Sequence, residues 1–318
     1  MDLLLKLTGI VILLLLMIKS AGVIRSSLVS LSYRTRINYF ISGFVLLSFA
    51  SSLPEFSIAI SSASQDVPQL SVGNLFGATL FLMTVTVGAL AIKHRSIPFK
   101  TMFGRREVIM SLLLIFMMAV VVIDKNLSKA DGVILISAYV GLILYLLFKT
   151  KRANDLNPQH TKIANSKLIL LTIKMVIGVT VLIVASNFLV NQVVDVASIL
   201  KIPEVLVGIL ILGIGTNTPE LVVALTSSAT NENKIAAGNV LGSATTNVAI
   251  LGLVAILSPY QLNGSSTILV VSIILTVTCL ILGYFAWTDK RIVRWEGIAL
   301  VFLYLIMFVY SLNKVIHF

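Results

Sequence analysis

Glutamate follows proline twice in this chain, at Pro54-Glu55 and Pro219-Glu220, each time inside a long apolar stretch. A proline within a helix has no N–H to donate, so the carbonyls one turn earlier, at Ala50 and Gly215, lose their helical partners. A carboxylate in apolar surroundings needs a compensating charge or hydrogen bonds. Freed carbonyls and carboxylates are hard oxygen ligands, the kind that bind a hard cation. Ser51, Ser52, Thr216 and Asn217 add hydroxyl and amide oxygens to the same two turns. Two such carboxylates brought together suit a divalent cation, or they could share a proton.

The two turns belong to a repeat. An offset of 165 residues carries Pro54-Glu55 onto Pro219-Glu220, Gly73-Asn74 onto Gly238-Asn239 and Gly77 onto Gly242. The same offset takes Gly43 to Gly208, Ser62 to Ser227, Gly132 to Gly297 and Tyr139 to Tyr304. Leucines could coincide by composition alone. The Pro-Glu and Gly-Asn pairs together do not.

The elements that position these residues are expected to be membrane helices. The chain is 58% hydrophobic and 12% charged, with a mean hydropathy of +1.03. A helix needs about 20 apolar residues to cross the hydrocarbon core. The apolar runs predict ten spans, at approximately 3–23, 38–63, 69–92, 107–123, 130–148, 168–200, 204–229, 234–258, 266–287 and 293–313. The fold class is therefore an all-α polytopic membrane protein. The first apolar segment lacks an obvious signal-peptide cleavage site and reads as span one.

Alternating the connections between two sides puts eighteen lysines and arginines on one side, Arg25 among them, and four on the other. The positive-inside bias makes the richer side cytoplasmic and both termini extracytoplasmic. The net charge of +11 is thus topological and implies no nucleic-acid partner. Each half has five spans, so the second half enters the membrane in the opposite sense. Residues 1–149 and 167–318 form two inverted five-helix repeats, joined by a short cytoplasmic connection at 150–166, in a single transport domain over 1–318. Inverted repeats of this kind place a substrate site near the midplane at their interface.

Glu55 and Glu220 are the only carboxylates expected near that midplane; Asp195, toward the outer end of span six, is the one rival. Asn239, Ser243 and Asn247 share a helix face that could look toward the glutamates. The matching row, Asn74, Ala78 and Leu82, is polar only at its first member, so the site is lopsided. Asn74 and Asn239 either ligate directly or bond backbone freed by the helix breaks. Gly73, Gly77, Gly238 and Gly242 are expected to permit close helix packing. Ser62 and Ser227 should bond their own helix backbone, and the single cysteine, Cys279, should be a packing residue. His94, His160 and His317 fall in connections or at the tail, which leaves no histidine for an intramembrane metal site.

On these motifs the chain resembles the cation/calcium exchanger superfamily, sodium/calcium exchanger type. That family carries two α-repeats close to G-[ST]-S-x-P-E, followed by G-N-x-x-G-S and an Asn or Asp four residues later. The second copy here reads Gly215-Thr216-Asn217-Thr218-Pro219-Glu220, then Gly238-Asn239 to Gly242-Ser243 and Asn247. The first reads Ala50-Ser51-Ser52-Leu53-Pro54-Glu55, then Gly73-Asn74 to Gly77-Ala78 and Leu82. The resemblance implies a multi-pass cell-membrane antiporter, not an enzyme, with no cofactor and no required protein partner. It implies Glu55 and Glu220 as Ca²⁺ ligands, helped by carbonyls near Ser51 and Thr216. Ser51, Ser52, Thr216, Asn217, Ser243 and Asn247 would shape that site and flanking Na⁺ sites, with Pro54, Pro219, Asn74 and Asn239 as helix-break or supporting residues. Family members exchange Ca²⁺ for Na⁺, or for H⁺ or K⁺, by alternating access as spans one and six slide across the bundle.

Ala78 and Leu82 depart from the pattern and remove two side-chain oxygens, while Asn247 stands where a carboxylate is common. Ca²⁺ takes six to eight oxygens. The expected function is Ca²⁺/Na⁺ antiport; the alternatives are Ca²⁺/H⁺ antiport, monovalent-cation (Na⁺ or K⁺)/H⁺ antiport, or a channel or transport-dead member.

Overall fold

The computed structural model of the chain describes residues 2–32, 47–98, 105–152, 165–226, 230–261, 266–288 and 291–316. Residues 38–46 of the second expected span (Gly43 included), Ser227, and most of the 150–166 connection with His160 lie outside the described residues, as does His317.

The first half opens with α1 (Asp2–Ser32). The next expected span is not one continuous helix: α2 (Ser48–Ser51) stops at Ser52, and α3 (Leu53–Ser64) restarts with Pro54 in its first turn. Proline is tolerated at a helix start, where its missing N–H has no partner to lose. α4 (Pro68–Phe81) also starts on a proline, passes through a π-helical turn at Leu82–Thr86 and continues as α5 (Val87–His94). His94 therefore closes a helix rather than lying in a connection. β1 (Ser96–Pro98), α6 (Arg105–Val120), β2 (Asn126–Leu127) and α7 (Lys129–Arg152) complete the half.

The second half begins with α8 (Asn165–Leu200). At 36 residues it is about 54 Å long, so it must tilt or extend beyond a hydrocarbon layer of about 30 Å. α9 (Glu204–Val207) leads through a second π-turn, Gly208–Leu212, into α10 (Gly213–Thr226), which keeps Pro219 in its interior. α11 (Thr230–Leu257), β3 (Tyr260–Gln261), α12 (Ser266–Trp287), β4 (Arg291–Val293) and α13 (Arg294–Ile316) follow.

Eight helical segments among the described residues are long and apolar enough to cross a membrane. The second and fourth expected spans do not reach that length there. The fold is helical as expected, with two short ladders added between helices: β1 pairs antiparallel with β4 and β2 with β3. These ladders satisfy backbone groups where the chain leaves one helix and enters the next.

Helix contacts obey the repeat. α7 packs along α11 while α5 packs along α13, two pairings that exchange under the 165-residue offset. α1 with α8, and α6 with α12, map onto themselves. Gly132 and Gly297, partners under the offset, each meet a glycine of the opposite half. A Cβ on Gly132 would lie 2.5 Å from the Gly252 carbonyl oxygen, and one on Gly297 2.7 Å from that of Gly88.

The acidic residues at two helix starts are accounted for in the same paired way. Asp131 Oδ2 accepts from the backbone N–H of Ser128 at 2.9 Å, and Glu296 Oε2 from that of Val293 at 2.8 Å. Both are third-position acids that tie down a helix entry, and they too are 165 residues apart.

Burial identifies the centre. In the most apolar stretch of Pro68–His94, 83% is buried, and in that of Gly238–Leu257, 78%. The corresponding figure for Leu168–Leu200 and for Arg294–Ile316 is 22%, so those helices turn most of their apolar surface outward. The two inner helices carry the Gly-Asn pairs. Ile10, Leu14, Met17 and Ile24 of α1 join Leu182, Leu189 and Val193 of α8 in an apolar cluster separate from the main core. Cys279 is buried within that main core.

Candidate functional site

The α2–α3 break, α10, α11 and the inner face of α1 converge on the two glutamates. Glu55 is 2% exposed and Glu220 4%, so both carboxylates are out of contact with bulk solvent. Asn217 Nδ2 donates to Glu55 Oε1 at 2.9 Å. Glu55 Oε2 and Glu220 Oε2 have no hydrogen-bond partner among the described residues. The two carboxylates are close enough to repel each other when ionised.

The break is held from across the repeat interface. Ser51 Oγ lies 2.6 Å from Ser243 Oγ, 3.0 Å from the Ser48 carbonyl oxygen and 3.4 Å from Asn239 Oδ1. A hydroxyl has one proton and two lone pairs. Ser51 can therefore donate once and accept from Ser243. Ser52 is buried at the point where the helix is interrupted, with φ −89° and ψ 7°.

On α10 the polar side chains turn back onto their own helix. Thr216 Oγ1 donates to the Leu212 carbonyl at 3.0 Å, and Thr218 Oγ1 to that of Ile214 at 2.9 Å. Asn217 Nδ2 reaches the Gly213 carbonyl at 3.1 Å and Thr216 Oγ1 at 3.0 Å, besides Glu55. Three successive carbonyls entering the Pro219 turn thus gain side-chain donors. Pro219 still denies an N–H to Gly215, as its chemistry requires.

The expected polar row on α11 divides. Ser243 and Asn239 reach Ser51, whereas Asn247 Nδ2 donates to Thr79 Oγ1 of α4 at 3.3 Å and its Oδ1 has no partner among the described residues. Thr79 was not anticipated: it follows Ala78, one position off the Asn74–Ala78–Leu82 row. It supplies a hydroxyl that the row lacks. Asn74 is fully buried, and neither of its amide atoms has a hydrogen-bond partner among the described residues, so it does not bond freed backbone there. Gly73 supplies close packing as expected: a Cβ there would sit 2.2 Å from the Val205 carbonyl oxygen. Ser62 Oγ donates to the Ala59 carbonyl of its own helix at 3.1 Å.

A cavity of about 50 Å³ lies against this arrangement, lined by Ala50, Ser51, Pro54, Thr216, Pro219 and Glu220 on one side. Ile18, Ala21, Gly22 and Arg25 of α1 form the other wall. Liquid water occupies about 30 Å³ per molecule, so the space holds a small ion only if it has shed most of its hydration shell. Arg25, counted from sequence as a charge in a connection, is inside α1 and faces the cavity. Asp195 is elsewhere: its Oδ2 pairs with Lys6 Nζ at 2.5 Å, linking α1 to α8. No group of three or more His, Cys, Asp or Glu side chains occurs among the described residues. A cation between the glutamates would draw its remaining ligands from carbonyl, hydroxyl and amide oxygens.

Known proteins share both the repeat and the fold. A family model described as "Sodium/calcium exchanger protein" matches residues 5–148 and again 170–313, and each bound of the second match lies 165 residues beyond the first. Inner membrane protein YrbG of Escherichia coli is 29% identical over 256 residues, covering 75% of this chain and 78% of that protein. Sodium/calcium exchanger MaX1 of Methanosarcina acetivorans is 23% identical over 332 aligned positions, covering 92% and 94%. A solved structure of the sodium-calcium exchanger NCX_Mj, soaked with Na⁺ and Sr²⁺, superposes with a TM-score of 0.67 at 22% identity. That match covers 96% of this chain and 98% of the solved one, so the fold is the same.

Proposed function

The chain belongs to the sodium/calcium exchanger family, and on that premise we propose that this multi-pass membrane protein exchanges Ca²⁺ for Na⁺. The family is one of cation antiporters rather than enzymes. The observation that carries the finer reading is the pair of buried glutamates from the two halves, each with a carboxylate oxygen that has no hydrogen-bond donor among the described residues. A buried carboxylate without a donor carries a desolvation cost that a bound cation offsets.

In this reading Glu55 and Glu220 ligate the ion from opposite repeats. Ser51, Ser52, Thr216, Asn217, Ser243 and Asn247, with the carbonyls before Pro54 and Pro219, complete the central and flanking sites. Asn74 and Asn239 support them. The ions are cargo, and no resident cofactor is invoked. All ten apolar segments act as spans in two inverted halves, with both termini outside the cytoplasm of the cell membrane. α1 and α8 pack along each other and rest on the bundle through Ile58, Leu70, Val207 and Leu212 of a shared apolar cluster, a mainly apolar surface that suits them to move together and expose the glutamates to either side in turn.

The test is a matrix of ion gradients on purified protein in proteoliposomes, with Ca²⁺, Na⁺, K⁺ and pH gradients set in pairs. Ca²⁺ uptake driven by an opposing Na⁺ gradient is the expected result. Uptake indifferent to Na⁺ and driven by a pH or K⁺ gradient would overturn the choice of coupling ion.

A further inference from the structure

Arg25 is an ionisable residue within an apolar helix, and such residues carry functional hypotheses by default. Ile18, Ala21, Gly22 and Arg25 fall three and four residues apart, so they form one face of α1, and that face is the cavity wall opposite Glu220. Gly22 keeps the wall open: a Cβ there would meet nothing within 4 Å. The guanidinium is half-buried and interacts electrostatically with Glu220 across this space, without forming a contact ion pair. A fixed positive charge facing a cation site has a definite consequence. Coulomb energy scales with the product of charges, so the guanidinium opposes a divalent ion twice as strongly, in free energy, as a monovalent one at the same place.

We propose that Arg25 sets the valence preference of the site, weakening Ca²⁺ binding by the square of the factor by which it weakens Na⁺ binding. This rests on the assignment of the ion site to Glu55 and Glu220. The residue touches the balance between exchanged ions rather than the presence of the site.

The experiment measures intrinsic Ca²⁺ and Na⁺ dissociation constants by calorimetry on purified wild type, Arg25→Gln and Arg25→Lys at one ionic strength. Arg25→Gln should tighten Na⁺ binding about threefold and Ca²⁺ binding about tenfold, a two-to-one ratio in logarithms. Arg25→Lys should stay near wild type. Equal shifts for both ions, weaker binding, or no shift would overturn the proposal. Gly22→Lys tests it independently of the fate of Arg25, since it adds charge to the open wall and should weaken Ca²⁺ binding by the square of its effect on Na⁺. Glu220→Gln separates the two readings. If Ca²⁺ binding survives that change intact, the site assignment fails. If it is lost while Arg25→Gln leaves the ratio unchanged, the role of Arg25 alone fails.

Discussion

The two Pro-Glu turns share a dipeptide and an offset, yet only the first breaks its helix. Around Pro54 the chain leaves helical geometry at Ser52 and restarts as α3. Around Pro219 the helix runs on. The difference lies in the preceding residues. Thr216, Asn217 and Thr218 bond back to Leu212, Gly213 and Ile214, holding the turn together from within. Their counterparts are Ser51, Ser52 and Leu53: two short hydroxyls and an apolar side chain. The first turn keeps one such bond, from Ser51 to the Ser48 carbonyl, and is otherwise held by the second half, through Ser243 and Asn239 on Ser51 and Asn217 on Glu55. The second repeat therefore supports both turns, and the first supports neither to the same degree. A symmetric origin has become a division of labour.

The sharpest way to break this comparison is to substitute equivalent residues and find equal effects. Asn217→Ala removes the donor to Glu55 and a donor to Gly213, whereas Ser52→Ala removes one hydroxyl from the break. A buried hydrogen bond to a charged group contributes about 1.5–3 kcal/mol. Asn217→Ala should thus change Ca²⁺ affinity by at least about tenfold, and Ser52→Ala by about twofold, in equilibrium binding to purified protein. The prolines come next. Pro219→Ala returns an N–H donor for the Gly215 carbonyl and should slow transport several-fold. Pro54→Ala alters a position in the first turn of α3, where proline is readily accommodated, and should change the rate less. The smallest contrast is Ser243→Ala against Ala78→Ser. Losing the 2.6 Å contact to Ser51 should cost about 1 kcal/mol, read as an about fivefold loss of affinity. Ala78→Ser adds a hydroxyl where there is no side-chain oxygen and should change affinity by less than that.

Much of this architecture was legible in the sequence. The ninth apolar run, 266–287, is helix α12 residue for residue, because uninterrupted apolar length is a strong signal. The offset that joined Pro54 to Pro219 also joins the two family-model matches. What the sequence hid was direction. A membrane helix is apolar on its lipid face and its protein face alike, so amphipathic patterning does not show which way α1 turns. Arg25 consequently read as one of the cytoplasmic charges, when it faces the cavity. The same blindness hid the Thr79–Asn247 contact, since Thr79 lies one position off the expected row. The π-turns at Leu82–Thr86 and Gly208–Leu212 depend on how α4 and α10 meet their neighbours, and apolar periodicity carries no trace of them. The break at Ser52 was signalled by Pro54. The continuity of α10 through an equivalent proline rests on local side-chain bonds, each to the carbonyl four residues earlier, which threonine and asparagine permit in a helix but do not require.

The most direct test of the central claim is Na⁺-driven Ca²⁺ uptake into proteoliposomes containing Glu55→Gln or Glu220→Gln, each verified to be folded by its melting curve. Removing one partner of a buried charge interaction costs about 3–5 kcal/mol, so each substitution should reduce uptake by about 100-fold or more. Uptake that persists near the wild-type rate in either variant would contradict a single cation site built from one glutamate of each half.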